Sequence, residues 1–278
     1  MDEITLTIEP PLARLRLARP ERRNALSQAM WRALPEYCAR IEAQSDALVV
    51  IVEGAGGHFC AGADIAEFAD AHRDAAATGD YVDAIQNALN ALALLDRPAI
   101  AKIEGNCVGG GLALAMACDL RFCAADAFLA ITPAKLGLLY GFAETRRLVE
   151  LVGPARAKDL LFSARRILPD EALAIGLVDR VVAPGILEES IRAYAAELSV
   201  LSQQSIRGAK AAVAAISGGL GAESPAFRAL IERAALGEDF AEGRKAFVEK
   251  RAAQFAYRGE TGSPRRSSVG VPTRSWPP

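Results

Sequence analysis

Lys102 to Arg121 reads KIEGNCVGGGLALAMACDLR, and this stretch decides the fold class. An apolar strand, Pro98 to Ile103, runs into a turn at Gly105-Asn106. Gly109-Gly110-Gly111 then opens a helix of small apolar residues, LALAMAC. Strand, glycine turn and helix in that order make the signature of an α/β protein with buried parallel strands.

The same alternation extends both ways from this stretch. Upstream, Ile4, Leu6 and Ile8 alternate with polar residues, and Ala13, Leu15 and Leu17 do so after Pro10-Pro11. That predicts a half-buried antiparallel pair. A helical spacing runs from Asn24 to Ser45, a short apolar strand from Ala47 to Val52, and a further helix from Tyr81 to Leu95. Downstream come strands at Leu120 to Cys123 and Ala127 to Ile131, then helices at Glu144 to Leu151 and Ala155 to Phe162. From Ile186 to Phe255 only helical periodicity remains. The expected organisation is a core over 1–195, a helical C-terminal module over 196–258, and a disordered Pro-, Ser- and Gly-rich tail over 259–278.

Composition narrows the function classes. Lys+Arg 32 against Asp+Glu 34 gives a formal net charge of −2, without the basic surplus of a nucleic-acid binder. The longest uncharged stretch, Gly105 to Cys118, is too short for a bilayer span, which needs roughly 20 apolar residues. The acidic, alternating start MDEITLTIEP is not a signal peptide. Five cysteines without a CxxC pair, and two histidines, argue against a disulfide framework, a zinc site or any metal centre. These features predict a soluble cytoplasmic protein.

Two glycine-rich turns carry the candidate chemistry: GAGGHFCAGAD (Gly54 to Asp64) and GNCVGGG (Gly105 to Gly111). Small residues let the backbone approach a ligand and aim N–H groups at it. One donor from each turn would polarise a carbonyl and hold an enolate. The competing reading is close helix–strand packing alone. Neither turn matches GxxxxGK[ST], or GxGxxG at a helix start.

Several segments in fixed order then resemble the crotonase (enoyl-CoA hydratase/isomerase) superfamily. They are RPERRNAL (Arg19 to Leu26), HFCAGADI (His58 to Ile65), Lys102 to Arg121, ITPAKLGLLYGFAETRRLVELVG (Ile131 to Gly153), EALAIGLVDRVV (Glu171 to Val182) and FVEKR (Phe247 to Arg251). The resemblance implies an α/β crotonase spiral of β-β-α units, with the helical C-terminal module packing a homotrimer or a dimer of trimers. It implies an acyl-CoA thioester as substrate and no further cofactor. The thioester carbonyl would sit between the N–H groups of Ala61 and Gly110. Gly62, Ala63, Asp64 and Ile65 would line the adenine end of CoA, with Arg22 and Lys250 near its phosphates. Each exposed cation has the plainer reading of solvated surface.

The chain departs from the family pattern at the acid/base positions. Hydratases of the family use two glutamates, and the matching positions here are Ala113 and Pro133. Neither side chain transfers a proton, so the resemblance implies decarboxylation or double-bond migration in place of hydration. Tyr140, in TPAKLGLLY, is similar to a tyrosine in the TPxxLGxxY stretch of methylmalonyl-CoA decarboxylases. Those enzymes keep a histidine where Ala63 stands. Glu144 replaces a family glycine and is a candidate acid/base; its plainer reading is a helix-N-terminal carboxylate or an ion pair with Arg147. Asp64 is expected to cap the helix that follows it, and His58 to be a solvated loop residue. The alternatives are a non-catalytic acyl-CoA-binding homologue, or a hydratase with a substitute base.

Overall fold

The computed structural model describes residues 2–219 and 224–259. β1 (Ile4–Glu9) and β2 (Leu12–Leu17) pair antiparallel, with Ile4 opposite Leu17 and Glu9 opposite Leu12. β1 keeps the predicted alternation, but in β2 only Arg16 is exposed. After β2 the chain forms α1 (Gln28–Glu42) and β3 (Val49–Gly54), then α2 (Phe68–Ala71) and α3 (Ala75–Ala93). Next come β4 (Ala99–Ile103), β5 (Asn106–Val108), α4 (Gly110–Ala117), β6 (Leu120–Ala124) and β7 (Phe128–Ala130). The first unit ends with α5 (Phe142–Val152), α6 (Pro154–Ser163), β8 (Arg166–Ile167), α7 (Pro169–Ala174), β9 (Arg180–Val182) and α8 (Leu187–Ser199).

Six strands form one sheet in the order β1-β2-β3-β4-β6-β9, parallel from β2 onward. β5, β7 and β8 form a second, three-stranded sheet. The run VVIVE of β3 is buried throughout, as a strand covered on both faces must be. Ser27 starts α1 by accepting the Met30 N–H at 3.1 Å. Met30, Trp31, Leu34, Cys38 and Ile41 form its buried stripe at helical spacing. α4 has no polar face: Gly111 to Ala117 are all buried, which makes it the central helix, against α3, α5 and β5.

The chain divides into two units, Met1–Ser199 and Val200–Pro278. The described part of the second holds α9 (Gln203–Ser217), α10 (Pro225–Leu236) and α11 (Glu238–Glu249). The α10 stripe predicted from Phe227, Leu230, Ile231, Ala234 and Ala235 is only partly covered, with Ile231 58% exposed. Ile231, Ala234 and Ala235 border a hollow of about 570 Å3 with Phe240 and Phe255. Apart from Gly259, the stretch read as a tail lies outside the described residues.

Candidate active site

The two glycine-rich turns are stitched into one platform. Asn24 is fully buried, and its amide donates to the carbonyls of Ala55 at 2.8 Å and His58 at 2.7 Å. Phe59 N–H donates to Glu104 O, Cys60 N–H to Asn106 O, and Val108 N–H back to Cys60 O, at 2.8 to 3.0 Å. His58 Nδ1 accepts the Asn106 N–H at 3.3 Å, so this histidine links the turns and is not the solvated loop residue expected. A Cβ on Gly111 would fall 2.6 Å from Cys60 Cβ, so only glycine lets α4 start against the first turn. Gly62, at φ 109°, adopts a conformation that L side chains rarely take.

The sequence reading placed one oxyanion donor at Ala61, and the structure corrects it. The Ala61 N–H donates to the Arg23 carbonyl at 2.9 Å. Leu26 N–H donates to Gly62 O at 2.7 Å, and Asp64 N–H to Leu26 O at 2.9 Å. In such a parallel bridge alternate amides face opposite ways. The Ala63 amide is therefore turned away from Leu26. It lies 3.4 Å from where a Cβ on Gly110 would be. Among the described residues neither the Ala63 nor the Gly110 N–H meets an acceptor. The pair of amides open to a ligand is Ala63 and Gly110.

Near these amides the acid/base inventory is short. Ala113 is 2% exposed, and Pro133 opens a 3-10 turn, Pro133–Leu136. Tyr140 is half-buried with its hydroxyl inward, donating to Gly109 O at 2.7 Å. Burial, with the neighbouring Cys107 and Glu144, pushes that hydroxyl well above its usual pKa, so it stays neutral. Glu144 is 6% exposed in the first turn of α5. Its Oε2 curls back to within 2.6 Å of where a Cβ on Gly141 would sit, and finds no hydrogen-bond partner among the described residues. No described ion pair joins it to Arg147, which donates instead to Asn90 Oδ1 at 3.1 Å. A buried carboxylate with a vacant oxygen, beside a helix N-terminus, is equipped to take up and release a proton.

The remaining predicted residues fall in separate places. Asp64 accepts the Ala66 N–H at 3.2 Å, capping the short turn Ile65–Glu67 as expected, and pairs with Arg19 at 2.9 Å. Ile65 stands 62% exposed beside it. Arg22 is exposed, and Lys250 is an exposed residue at the C-cap of α11 in the second unit. Burial pushes the Cys60 thiol up to about 12 and Cys107 well above its ordinary value, so both are neutral packing groups. Sequence reasoning missed Asn24 and Trp31. Trp31 appeared only as one apolar position of α1, yet its Cζ2 lies 3.1 Å from the Cβ position of Gly110.

A central small-residue helix, started against a glycine turn under a mainly parallel sheet, defines the class as a crotonase-fold protein. The family model described as enoyl-CoA hydratase/isomerase matches residues 7–258. The chain belongs to the enoyl-CoA hydratase/isomerase family. It is 42% identical to an enoyl-CoA hydratase/isomerase family protein from Hyphomonas neptunium, with a TM-score of 0.90 over 92% of this chain and 98% of that one. An enoyl-CoA hydratase from Bacillus anthracis superposes with a TM-score of 0.84 at 32% identity, over 91% and 99% of the two chains. Among curated relatives, the mitochondrial Delta(3,5)-Delta(2,4)-dienoyl-CoA isomerase of Mus musculus is 36% identical over 207 residues. That match spans 70% of this chain and 63% of the mouse enzyme.

Proposed function

We propose that the protein shifts a carbon–carbon double bond in an enoyl-CoA thioester, with Glu144 as the proton carrier. The observation that carries this reading is the buried Glu144 carboxylate with its unpartnered Oε2. The Ala63 and Gly110 amides hold the thioester oxygen. Glu144 takes the proton from Cα of a 3-enoyl thioester, and the electron pair moves to that oxygen through the dienolate. The same carboxyl returns the proton to Cγ as the electrons fall back, leaving the 2-enoyl product and the original carboxylate. One carboxylate suffices for this cycle, and no water is added. The likeness to dienoyl-CoA isomerases supports the same reaction class.

Decarboxylation has less support, because the Tyr140 hydroxyl is engaged by Gly109 O and Ala63 brings no side-chain donor. CoA contacts run along Gly62 to Ile65, with Arg22 and Lys250 near the phosphates. The second unit serves to pack a homotrimer or a dimer of trimers, which light scattering tests.

The deciding experiment offers 3-hexenoyl-CoA, crotonyl-CoA and methylmalonyl-CoA to the wild type and to Glu144→Gln. Isomerisation of 3-hexenoyl-CoA is expected, falling about 10²–10⁴-fold in Glu144→Gln at unchanged thioester affinity. Faster loss of carbon dioxide from methylmalonyl-CoA would favour the decarboxylase reading. Binding without turnover of any thioester would favour the non-catalytic homologue.

A further inference from the structure

Trp31 has a position that its place in an apolar helix stripe does not explain. The side chain is fully buried, and Cζ2 touches the backbone at Gly110, 3.1 Å from the Cβ position there. That same Cβ position is 3.4 Å from Ala63 N and 3.7 Å from Gly62 C, so the indole edge abuts both candidate amides. On its other side the indole lines a groove of about 350 Å3 between α1 and α3. Pro35 and Ala84 wall this groove with it, and the exposed Asp80 and Asp83 stand at its mouth.

Tyr81 backs the indole from α3. It stands beside the indole N–H without a hydrogen bond of ordinary geometry, and its ring meets His72 edge-on at 5.5 Å. The indole is thus held by packing on both sides, and its N–H has no partner among the described residues. It forms a solid partition between the amide pair and an open, water-filled groove.

We infer that Trp31 closes the acyl end of the site and restricts the protein to short acyl thioesters; this rests on the enoyl-CoA reading above. A chain seated on the amides of Ala63 and Gly110 meets the indole before it reaches the groove. In an open apolar channel each added methylene would tighten binding about fourfold, in line with the usual transfer free energy of a buried CH₂. Here that gain stops once the chain touches Trp31. Removal of the indole would join the site to the groove and give longer chains an exit toward solvent.

The test is calorimetric titration of butanoyl-, hexanoyl-, octanoyl- and dodecanoyl-CoA into the full chain, which needs no turnover. The wild type is expected to bind dodecanoyl-CoA at least about tenfold more weakly than butanoyl-CoA, and Trp31→Leu to remove that difference. Trp31→Phe, which keeps a ring in the core, should shift the preference part of the way and covers the case in which Trp31→Leu does not fold. Met30→Ala removes a neighbouring core side chain and is expected to leave the chain-length ratio alone. A wild type that binds all four alike, or a folded Trp31→Leu with the wild-type ratio, overturns the inference. Absence of binding to every thioester overturns the enoyl-CoA reading itself, and the two failures are separable in one titration series.

Discussion

The Ala61 N–H and the Arg23 carbonyl are joined at 2.9 Å, and this bond separates two amides that lie only two residues apart. Ala61 holds the turn to the segment before α1; Ala63 is open to a ligand. Replacing each alanine in turn by lactic acid converts its amide to an ester and deletes only the N–H. At Ala63 the expected result is a loss of about 10²–10³-fold in turnover with the melting midpoint held. At Ala61 the expected result is destabilisation by about 1 kcal/mol with turnover nearly kept. The reverse pattern would restore Ala61 as the oxyanion donor.

Tyr140 is argued here to support the platform and not to transfer protons. Its hydroxyl fills the Gly109 carbonyl at 2.7 Å, just before the helix that presents the Gly110 amide. Tyr140→Phe leaves that carbonyl unsatisfied, a loss of about 1–3 kcal/mol in stability. Turnover should fall less than in Glu144→Gln, with no new group appearing in the pH–rate profile. A fall in Tyr140→Phe larger than in Glu144→Gln would move the tyrosine into the chemistry.

What the sequence made legible follows from physical scale. The β3 run and the α1 stripe are long enough for periodicity to show, and both appear near their expected places. β5, β8 and β9, with three, two and three residues, are too short to alternate, so they were not foreseen. Arg14 reads as the outward face of a half-buried strand, yet it is 8% exposed, because α8 lays Glu188 against that face. The glycine turns were visible as a site. Which amide they free was not, because that depends on the bridge between Leu26 and Ala63, a contact across the fold. Glu144 was visible as a candidate, but its turn back over Gly141 needs three-dimensional packing.

The network around Glu188 predicts acid sensitivity. Burial raises the pKa of this carboxyl, but Arg14 and Lys102 outweigh burial and hold it at about 2. Unfolded, it titrates at about 4.3. A folded pKa below the unfolded one means the stabilisation is complete above the unfolded value and is lost as pH falls toward the folded one. The wild type should therefore lose stability between about pH 4.3 and pH 2, and Glu188→Gln should lose less over that range. Equal slopes of melting temperature against pH for both proteins would exclude Glu188 as a source.

All five cysteines are free and buried, and burial pushes Cys60 and Cys123 up to about 12. Thiolate is the reactive form, so a disulfide reagent at pH 8 should leave the folded protein unlabelled for minutes. In guanidinium all five should react at once. Rapid labelling of one thiol in the folded state would show an opening of the core that these contacts do not predict.

Water addition to crotonyl-CoA is the reaction this site is least equipped to perform. The two positions where hydratases of the family resemble one another carry Ala113, 2% exposed on α4, and Pro133, at the start of a 3-10 turn. Each missing proton-transfer group removes about 10²–10⁴-fold, although such effects do not simply add. Glu144 supplies one carboxylate, enough to carry a proton between two carbons but not to position and deprotonate water while protonating Cα. Crotonyl-CoA hydration by the wild type should therefore be at least about 10³-fold slower than isomerisation of 3-hexenoyl-CoA. Ala113→Glu should recover little of it. The added carboxyl would lie in a packed helix position with no second carboxylate at Pro133, whose ring also fixes the backbone there. The measurement is the loss of enoyl-thioester absorbance for each protein. Hydration by the wild type as fast as isomerisation would mean that Glu144 activates water, and would return the protein to the hydratases.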